Sequence, residues 1–167
     1  MKKLQAAMEY LMTYGWAILI IALALGVLYS LGVFNPNRLK PVGCFLPAPF
    51  TCQIQAFKGS DGTLSILLGQ GSGQTITITN VACVDNSRLN GAGGIPSNSA
   101  DYTYTTSTNL ASGGTIPIPS LKCIKSDGTT FKGSIGDTFS GTLVIGYTIG
   151  TNTYYTMGSI SAQINTP

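Results

Sequence analysis

The sequence predicts an α+β protein in which one long N-terminal hydrophobic helix precedes an all-β, sandwich-like domain of seven or eight strands. Three observations carry this prediction. No charged side chain lies between Tyr10 and Asn37. Apolar and polar residues then alternate with period two in several later segments, as in half-buried strands. Two Asp-Gly pairs mark turns between such segments.

The uncharged segment has the length of a membrane crossing. Gly15 to Phe34 comprises 20 residues, which as a helix would extend about 30 Å, the thickness of a hydrocarbon core. It is apolar on all sides, which suits lipid or a buried helical bundle. Asn35-Pro36 should end it, because proline cannot continue a helix. A removable secretory signal, with a shorter apolar stretch, and a plain membrane anchor are the competing interpretations.

A Pro-rich neck, residues 35–52, should join the helix to the β-domain, residues 53–167. Proline fixes backbone angles, so this connector should be stiff. We expect Asp61-Gly62 and Asp127-Gly128 to close hairpins, because both residues of such a pair accept positive φ. The segments Phe139–Ile149 and Thr153–Ile164 should form a C-terminal hairpin. The Asn/Gly/Ser-rich segment from Asp85 to Asp101 should be a long exposed loop.

Four cysteines lie beyond the helix, and an even number in an exported domain indicates disulfides. Four cysteines allow three pairings. We favour Cys44–Cys52, which closes a short loop at the neck, and Cys83–Cys123, which joins strands far apart in sequence. A zinc site is the rival, but the two close Cys pairs of such sites are absent.

Composition limits the classes of function. Only 9% of the residues are charged, the formal net charge is +3, and there is no histidine. The few dispersed cations argue against nucleic-acid binding. The lack of histidine excludes Ser-His-Asp and Cys-His nucleophiles and His-ligated metals. Asp85 and Asp101, with Asn86 or Asn90, lack the spacing of a calcium loop. We therefore predict no enzyme, no cofactor and no metal site.

The N-terminus resembles a known family. Lys2 and Lys3 form a basic leader, Gln5 follows Leu4, and Glu9 precedes the apolar run. This pattern is similar to the class III signal of archaeal type IV pilins and archaellins. The resemblance implies a membrane peptidase that removes leader residues 1–4 by cutting between Leu4 and Gln5. It also implies that residues 5–34 stay in the mature subunit as a transmembrane and filament-core helix. The family commonly has glycine where this chain has Leu4.

Glu9 would be the fifth residue of the processed chain, where the family has its acid. A carboxylate among apolar side chains needs a partner. The ammonium group freed at Gln5 of a neighbouring subunit could pair with Glu9 and set the axial register of a helical stack. In the other interpretation, Glu9 lies at a membrane surface near Lys2 and Lys3.

These inferences predict a subunit of an archaeal type IV pilus-like filament used for adhesion or surface attachment. Its expected partners are copies of itself, membrane lipid before assembly, the class III signal peptidase and the pilus assembly motor and platform. It would be held at the cell membrane, with the β-domain outside, and then enter the extracellular filament. One alternative is an anchored binding module with an aromatic platform of Tyr102, Tyr104, Tyr154 and Tyr155. The other is an archaellum-type filament subunit.

Overall fold

A computed structural model provides the structure of the chain and describes residues 2–31, 41–91 and 94–167. Within the helix it describes the side chains of Met8, Met12 and residues 14–31. The chain divides into two compact units, Met1–Leu39 and Lys40–Pro167. Each unit is considered by itself below.

The first unit contains helix α1, Lys2–Ser30. Its leucines, alanines and methionines are strong helix formers, and it contains no proline. The carbonyl of Val27 accepts from both the Ser30 hydroxyl, at 2.8 Å, and the Leu31 amide, at 3.0 Å, in the last turn. Within α1, the structure describes the side chains of Met8, Met12 and residues 14–30. Among the described residues, no helix combines the length and hydropathy that a membrane crossing requires.

The second unit is built of strands. They are β1 (Gly43–Phe45), β2 (Phe50–Phe57), β3 (Thr63–Gln70), β4 (Ile76–Val84), β5 (Leu89–Asn90), β6 (Ile95–Pro96), β7 (Tyr104–Leu110), β8 (Thr115–Ile124), β9 (Thr138–Ile149) and β10 (Asn152–Gln163). Eight of them form one sheet in the order β1-β10-β9-β4-β8-β3-β2, with β7 also paired to β4. β5 and β6 form a separate two-stranded ladder. β1 and the start of β2 lie within the predicted neck, of which residues 35–40 are outside the described residues.

This single sheet contradicts the predicted fold class. The prediction of a long membrane-spanning helix followed by a sandwich-like domain is wrong, because the described chain is mostly one sheet that curls until it is nearly closed. Its two end strands, β1 and β2, are joined by the Cys44–Cys52 disulfide. A parallel contact between β4 and β8, Cys83↔Cys123 and Val84↔Ile124, makes the two halves continuous. Period-two alternation predicts which residues face inward, but it does not predict this contact.

The interior of the curled sheet is an aliphatic core. β3 alternates between buried and half-buried residues, and half of the residues of β9 are buried, four of them consecutively. Among the fully buried side chains are Phe57, Leu64, Ile66, Leu68, Ile78, Ile118, Leu121, Leu143, Ile145 and Ile160. The C-terminus is tied to β2, since the Phe57 amide donates to Asn165 Oδ1 at 2.8 Å and the Asn165 amide donates to the Phe57 carbonyl at 3.1 Å.

The predicted turns are largely confirmed. Gly62 takes φ 67° between the antiparallel strands β2 and β3, as the Asp61-Gly62 pair indicated. β9 and β10 form the predicted C-terminal hairpin across Gly150, which has φ 60°. The Asp127-Gly128 turn is present too, but the strand expected after it reduces to one bridge between Ile124 and Thr130.

In the segment from Asp85 to Asp101, the described residues form regular elements, so the prediction of one long loop is wrong, although about half of these residues are exposed as expected. The segment contains 3-10 helices at Asn86–Arg88 and Ser99–Asp101 and the β5–β6 ladder. Its Leu89, together with Tyr102, packs on a second apolar cluster on the outer face of the sheet, formed by Ala82, Val84, Ile124 and Val144. Residues 81–84 are all apolar and all buried, which is typical of a strand covered on both faces.

An ion pair holds this covering segment together. Arg88 Nε donates to Asp101 Oδ2 at 3.0 Å, and Arg88 Nη2 donates to Asp101 Oδ1 at 2.9 Å. Asp101 is buried. The bidentate geometry satisfies both carboxylate oxygens, which a buried acid requires. The carboxylate also raises the pKa of Arg88, chiefly through these hydrogen bonds.

The carboxylate of Asp127 organises the turn before Thr130. The hydroxyl and the amide of Thr129 both donate to Asp127 Oδ1, at 2.6 Å and 2.8 Å. These hydrogen bonds favour the ionised form of Asp127, and the bond from the hydroxyl has a larger effect than the bond from the amide. Lys125 Nζ, 3.4 Å from Asp127 Oδ2, adds a smaller effect in the same direction. Together, these interactions lower the pKa of Asp127 to about 2.

We expect Thr129→Val to raise the pKa of Asp127 from about 2 part of the way to 3.8, because the amide donor remains. A carboxylate whose pKa is lower in the folded than in the unfolded chain stabilises the fold above the unfolded pKa. That contribution is therefore lost as the pH falls from about 4 to about 2. Carbon NMR of the carboxyl group measures the shift, with Thr130→Val as the control. An unchanged pKa in Thr129→Val would contradict this assignment of cause.

Candidate functional site

The candidate site is the surface of α1. From Tyr14 to Leu31 every described side chain is exposed in the chain by itself, and none of these residues is charged. The exposed fraction is 66% for Trp16, 59% for Ile21 and 64% for Leu23. These side chains point in all directions around the axis, since consecutive helical residues are separated by about 100°. So large an apolar surface is typical of an interaction site.

The surface of α1 also has a groove and two glycines, which favour close packing of another helix. Met12, Gly15, Trp16 and Leu19 line a shallow apolar groove. A Cβ atom built on Gly15 or on Gly26 would meet no atom within 4 Å, so both positions are open to a neighbouring helix. Glycine on an apolar helix lets another backbone approach closely.

The predicted processing and register residues lie at the start of α1. Leu4, Gln5 and Glu9 fall within the helix, Lys2–Ser30. Their side chains lie outside the described residues. Gln5 and Glu9 are four positions apart, which places them on the same helix face. Cleavage between Leu4 and Gln5 and the pairing of Gln5 with Glu9 stay predictions.

The predicted disulfide pairing is confirmed. Cys44 is bonded to Cys52, with Cα atoms 5.6 Å apart, and Cys83 to Cys123, with Cα atoms 4.5 Å apart. The two bonds differ in setting. Cys83 and Cys123 are fully buried at the parallel contact of β4 and β8, whereas Cys44 and Cys52 are half-buried between the ends of the sheet. Disulfides of this kind indicate an extracellular or otherwise oxidising compartment.

The four tyrosines considered as a platform do not share one surface. Tyr154 and Tyr155 are adjacent on β10 and therefore point to opposite faces. Tyr154 stacks on Tyr147 with ring centroids 5.7 Å apart, while Tyr155 lies 6.5 Å from Tyr102. Tyr104 packs against the main core. Burial, with a smaller effect of Tyr155, raises the pKa of Tyr102 to about 12, so its phenol stays neutral.

The acids considered for calcium have protein partners. Asp85 Oδ1 accepts from the Ser87 amide at 2.9 Å and caps a 3-10 helix, which lowers the pKa of Asp85. Asp101 is paired with Arg88. In the described part of the chain, no three residues among histidine, cysteine, aspartate and glutamate are grouped as metal ligands.

Sequence reasoning missed a groove beside the Cys44–Cys52 bond. It is lined by Val42, Phe45, Gln53 and Ile54, together with Gly43 and the two cysteines. The exposed fraction is 51% for Val42 and 66% for Phe45. β1 has only three residues, which is too short for period-two alternation to be recognised.

Comparison with protein-family models, with curated proteins and with solved structures finds no match to this chain. Function must therefore be inferred from the residues of the chain itself.

Proposed function

We propose that this chain is a structural subunit of an archaeal type IV pilus-like filament and that it polymerises through its N-terminal helix. The observation that carries the proposal is the uninterrupted, uncharged and exposed surface of α1 from Tyr14 to Ser30. The resemblance of residues 1–19 to the class III signal supports it independently.

A helix that is apolar on every side is stabilised best when it is surrounded by other helices. Each square ångström of apolar surface removed from water contributes about 25 cal/mol. Packing α1 among copies of itself would bury Trp16, Ile21 and Leu23 together, and the groove beside Gly15 would admit a neighbouring side chain. In the proposed filament, α1 therefore forms the core.

The β-domain fits the outside of such a filament. It has few charges, its two disulfides suit an extracellular setting, and its aliphatic core is complete within one chain. A class III signal peptidase and an assembly motor and platform, as partners, are part of the proposal. The mechanism is polymerisation, without a chemical step.

In this proposal, groups at the N-terminus of the processed chain determine the axial register of the helical core. Glu9 would accept from the ammonium group of Gln5 in a neighbouring subunit. An unpaired carboxylate among apolar helices costs several kcal/mol, so only the stagger that pairs the two groups is favourable.

Intact mass and N-terminal sequencing of the protein sheared from native cells test the proposal. We expect a chain that begins at Gln5 in the sheared filament fraction. A chain that begins at Met1 and stays with the membrane would contradict the proposal and favour an anchored binding module. A start well beyond Ala24 would also contradict it and indicate a secreted β-domain. Loss of the filaments when a rotary motor is removed would instead identify an archaellum-type subunit.

A further inference from the structure

The first strand of the β-domain is weakly paired. β1 forms three residue pairs with β10, Gly43↔Ser161, Cys44↔Ile160 and Phe45↔Ser159. β10 itself forms twelve pairs with β9 on its other side. β1 is also the first described element after residues 32–40, which connect it to α1 in sequence. A three-residue strand with one neighbour opens at low cost in free energy.

A single covalent bond reinforces β1 from its other side. Among the described strands, β1 is paired only with β10 and β2 only with β3, so no ladder joins β1 to β2. The Cys44–Cys52 disulfide bridges them instead, with a sequence separation of 8. This bond fastens the middle residue of β1 to β2, which has its own ladder to β3 over seven pairs.

The same bond is open to a small reagent. Cys44 and Cys52 are both half-buried, and the groove lined by Val42, Phe45 and Gln53 runs beside them. The other disulfide differs, since Cys83 and Cys123 each have an exposed fraction of 0% and lie inside the core. Thiol–disulfide exchange requires in-line access of a thiolate to sulfur, so the two bonds should differ in reactivity.

We infer that the Cys44–Cys52 disulfide is a reducible tether that secures β1, and with it the connection to the N-terminal unit, to the β-domain. A dithiol opens it before Cys83–Cys123 reacts. Opening releases β1 from β10 while the rest of the domain stays folded.

The chemistry is ordinary exchange with a dithiol. One thiolate of the reagent attacks Sγ of Cys44 or Cys52, the S–S bond breaks, and the other Sγ leaves as a thiolate. The second thiol of the reagent then resolves the mixed disulfide. The reagent ends as a cyclic disulfide, oxidised by two electrons, and the protein gains two cysteine thiols.

The tether has a mechanical consequence that rests on the proposed function. In a filament, tension between the helical core and the outer domain would reach the β-domain at β1. Under tension from one end, the three residue pairs between β1 and β10 would open one after another. The disulfide carries that tension to β2, whose ladder with β3 spans most of the strand. The reduction experiment below does not depend on the filament, so its failure and that of the proposed function are distinguishable.

The experiment treats the full oxidised chain with dithiothreitol under native conditions and quenches samples with iodoacetamide at intervals. Peptide mapping then gives the reduction rate of each bond. We expect Cys44 and Cys52 to be alkylated at least about tenfold faster than Cys83 and Cys123, because the buried pair needs prior opening of the core. Hydrogen exchange of the partly reduced chain should show loss of protection in Gly43–Phe45 and unchanged protection in β4 and β9.

The variant Cys44→Ser with Cys52→Ser provides the matched control. It should show the same loss of protection in β1 without any reductant, in a domain that is otherwise folded. The inference is overturned if both disulfides are reduced together with global unfolding. It is equally overturned if β1 keeps its protection after Cys44 and Cys52 have been alkylated, because the bond would then be dispensable for holding the strand.

Discussion

Cells in which Ile21 is replaced by aspartate should produce no filaments, while the β-domain of the variant keeps its stability. Ile21 lies in the middle of the described part of α1, with an exposed fraction of 59% in the single chain. In the proposed filament core this position is surrounded by neighbouring helices. A carboxylate there would be buried without a partner, at a cost of several kcal/mol per subunit. Since every subunit repeats the cost, assembly should fail completely.

The measurement is electron microscopy of sheared surface fractions, combined with immunoblotting of cell-bound subunit. Ile21→Leu keeps an apolar side chain of equal size and should assemble normally. Thr108→Asp places the same charge on an exposed residue of β7 and should also assemble. Normal filaments from Ile21→Asp, with the processed subunit present in ordinary amount, would show that α1 does not form the core.

The local features of the β-domain could be predicted from the sequence because each depends on few neighbouring residues. Asp61-Gly62 specified a hairpin because glycine accepts the φ of 67° that the turn requires. The pairing of Cys83 with Cys123 was the favoured one of three, and the structure confirms it. The order of strands could not be predicted in this way. β4 pairs with β9 over residues 77–84, with β7 over residues 76–81 and with β8 over residues 83–84, and no alternation within β4 encodes that choice.

The segment from Asp85 to Asp101 shows how composition can mislead. Its asparagines, glycines and serines are typical of an exposed loop. The signal that it covers the sheet lies elsewhere, in the continuous apolar run from Val81 to Val84. A strand with one face in the core and apolar residues on the other needs something to cover that face. Arg88 and Asp101, thirteen positions apart, then fix the covering segment through contacts that only the folded chain creates.

The surface of α1 could be predicted from the local sequence, whereas the groove beside Cys44–Cys52 could not. The uncharged surface of α1 follows directly from the order of residues between Tyr10 and Asn37. The groove beside Cys44–Cys52 does not, since it exists only because β1 and β2 meet at the two ends of one curled sheet.

Replacing Cys83 and Cys123 together by alanine should cost the β-domain about 4 kcal/mol of its free energy of unfolding, from the loss of a bond that closes a separation of 40 residues. A domain of this size has about 5–15 kcal/mol in all, so this loss is a large fraction of its stability. Removing Cys44 and Cys52, eight residues apart, should cost only about 2.5 kcal/mol. Urea unfolding followed by circular dichroism, without reductant, measures both losses.

The topology gives a second reason to expect that removal of the Cys83–Cys123 disulfide destabilises the β-domain more than its loop length alone predicts. Between β1-β10-β9-β4-β7 and β8-β3-β2, the only ladder among the described strands is the two-residue parallel contact that includes Cys83 and Cys123. Other connections between the two halves include the Cys44–Cys52 disulfide, the bonds of Asn165 to Phe57 and the shared core. Without the disulfide, the two halves would be free to separate at β4 and β8, so hydrogen exchange should rise there first. Equal losses of stability in the two cysteine variants would contradict this, and would mean that the core alone keeps the sheet continuous.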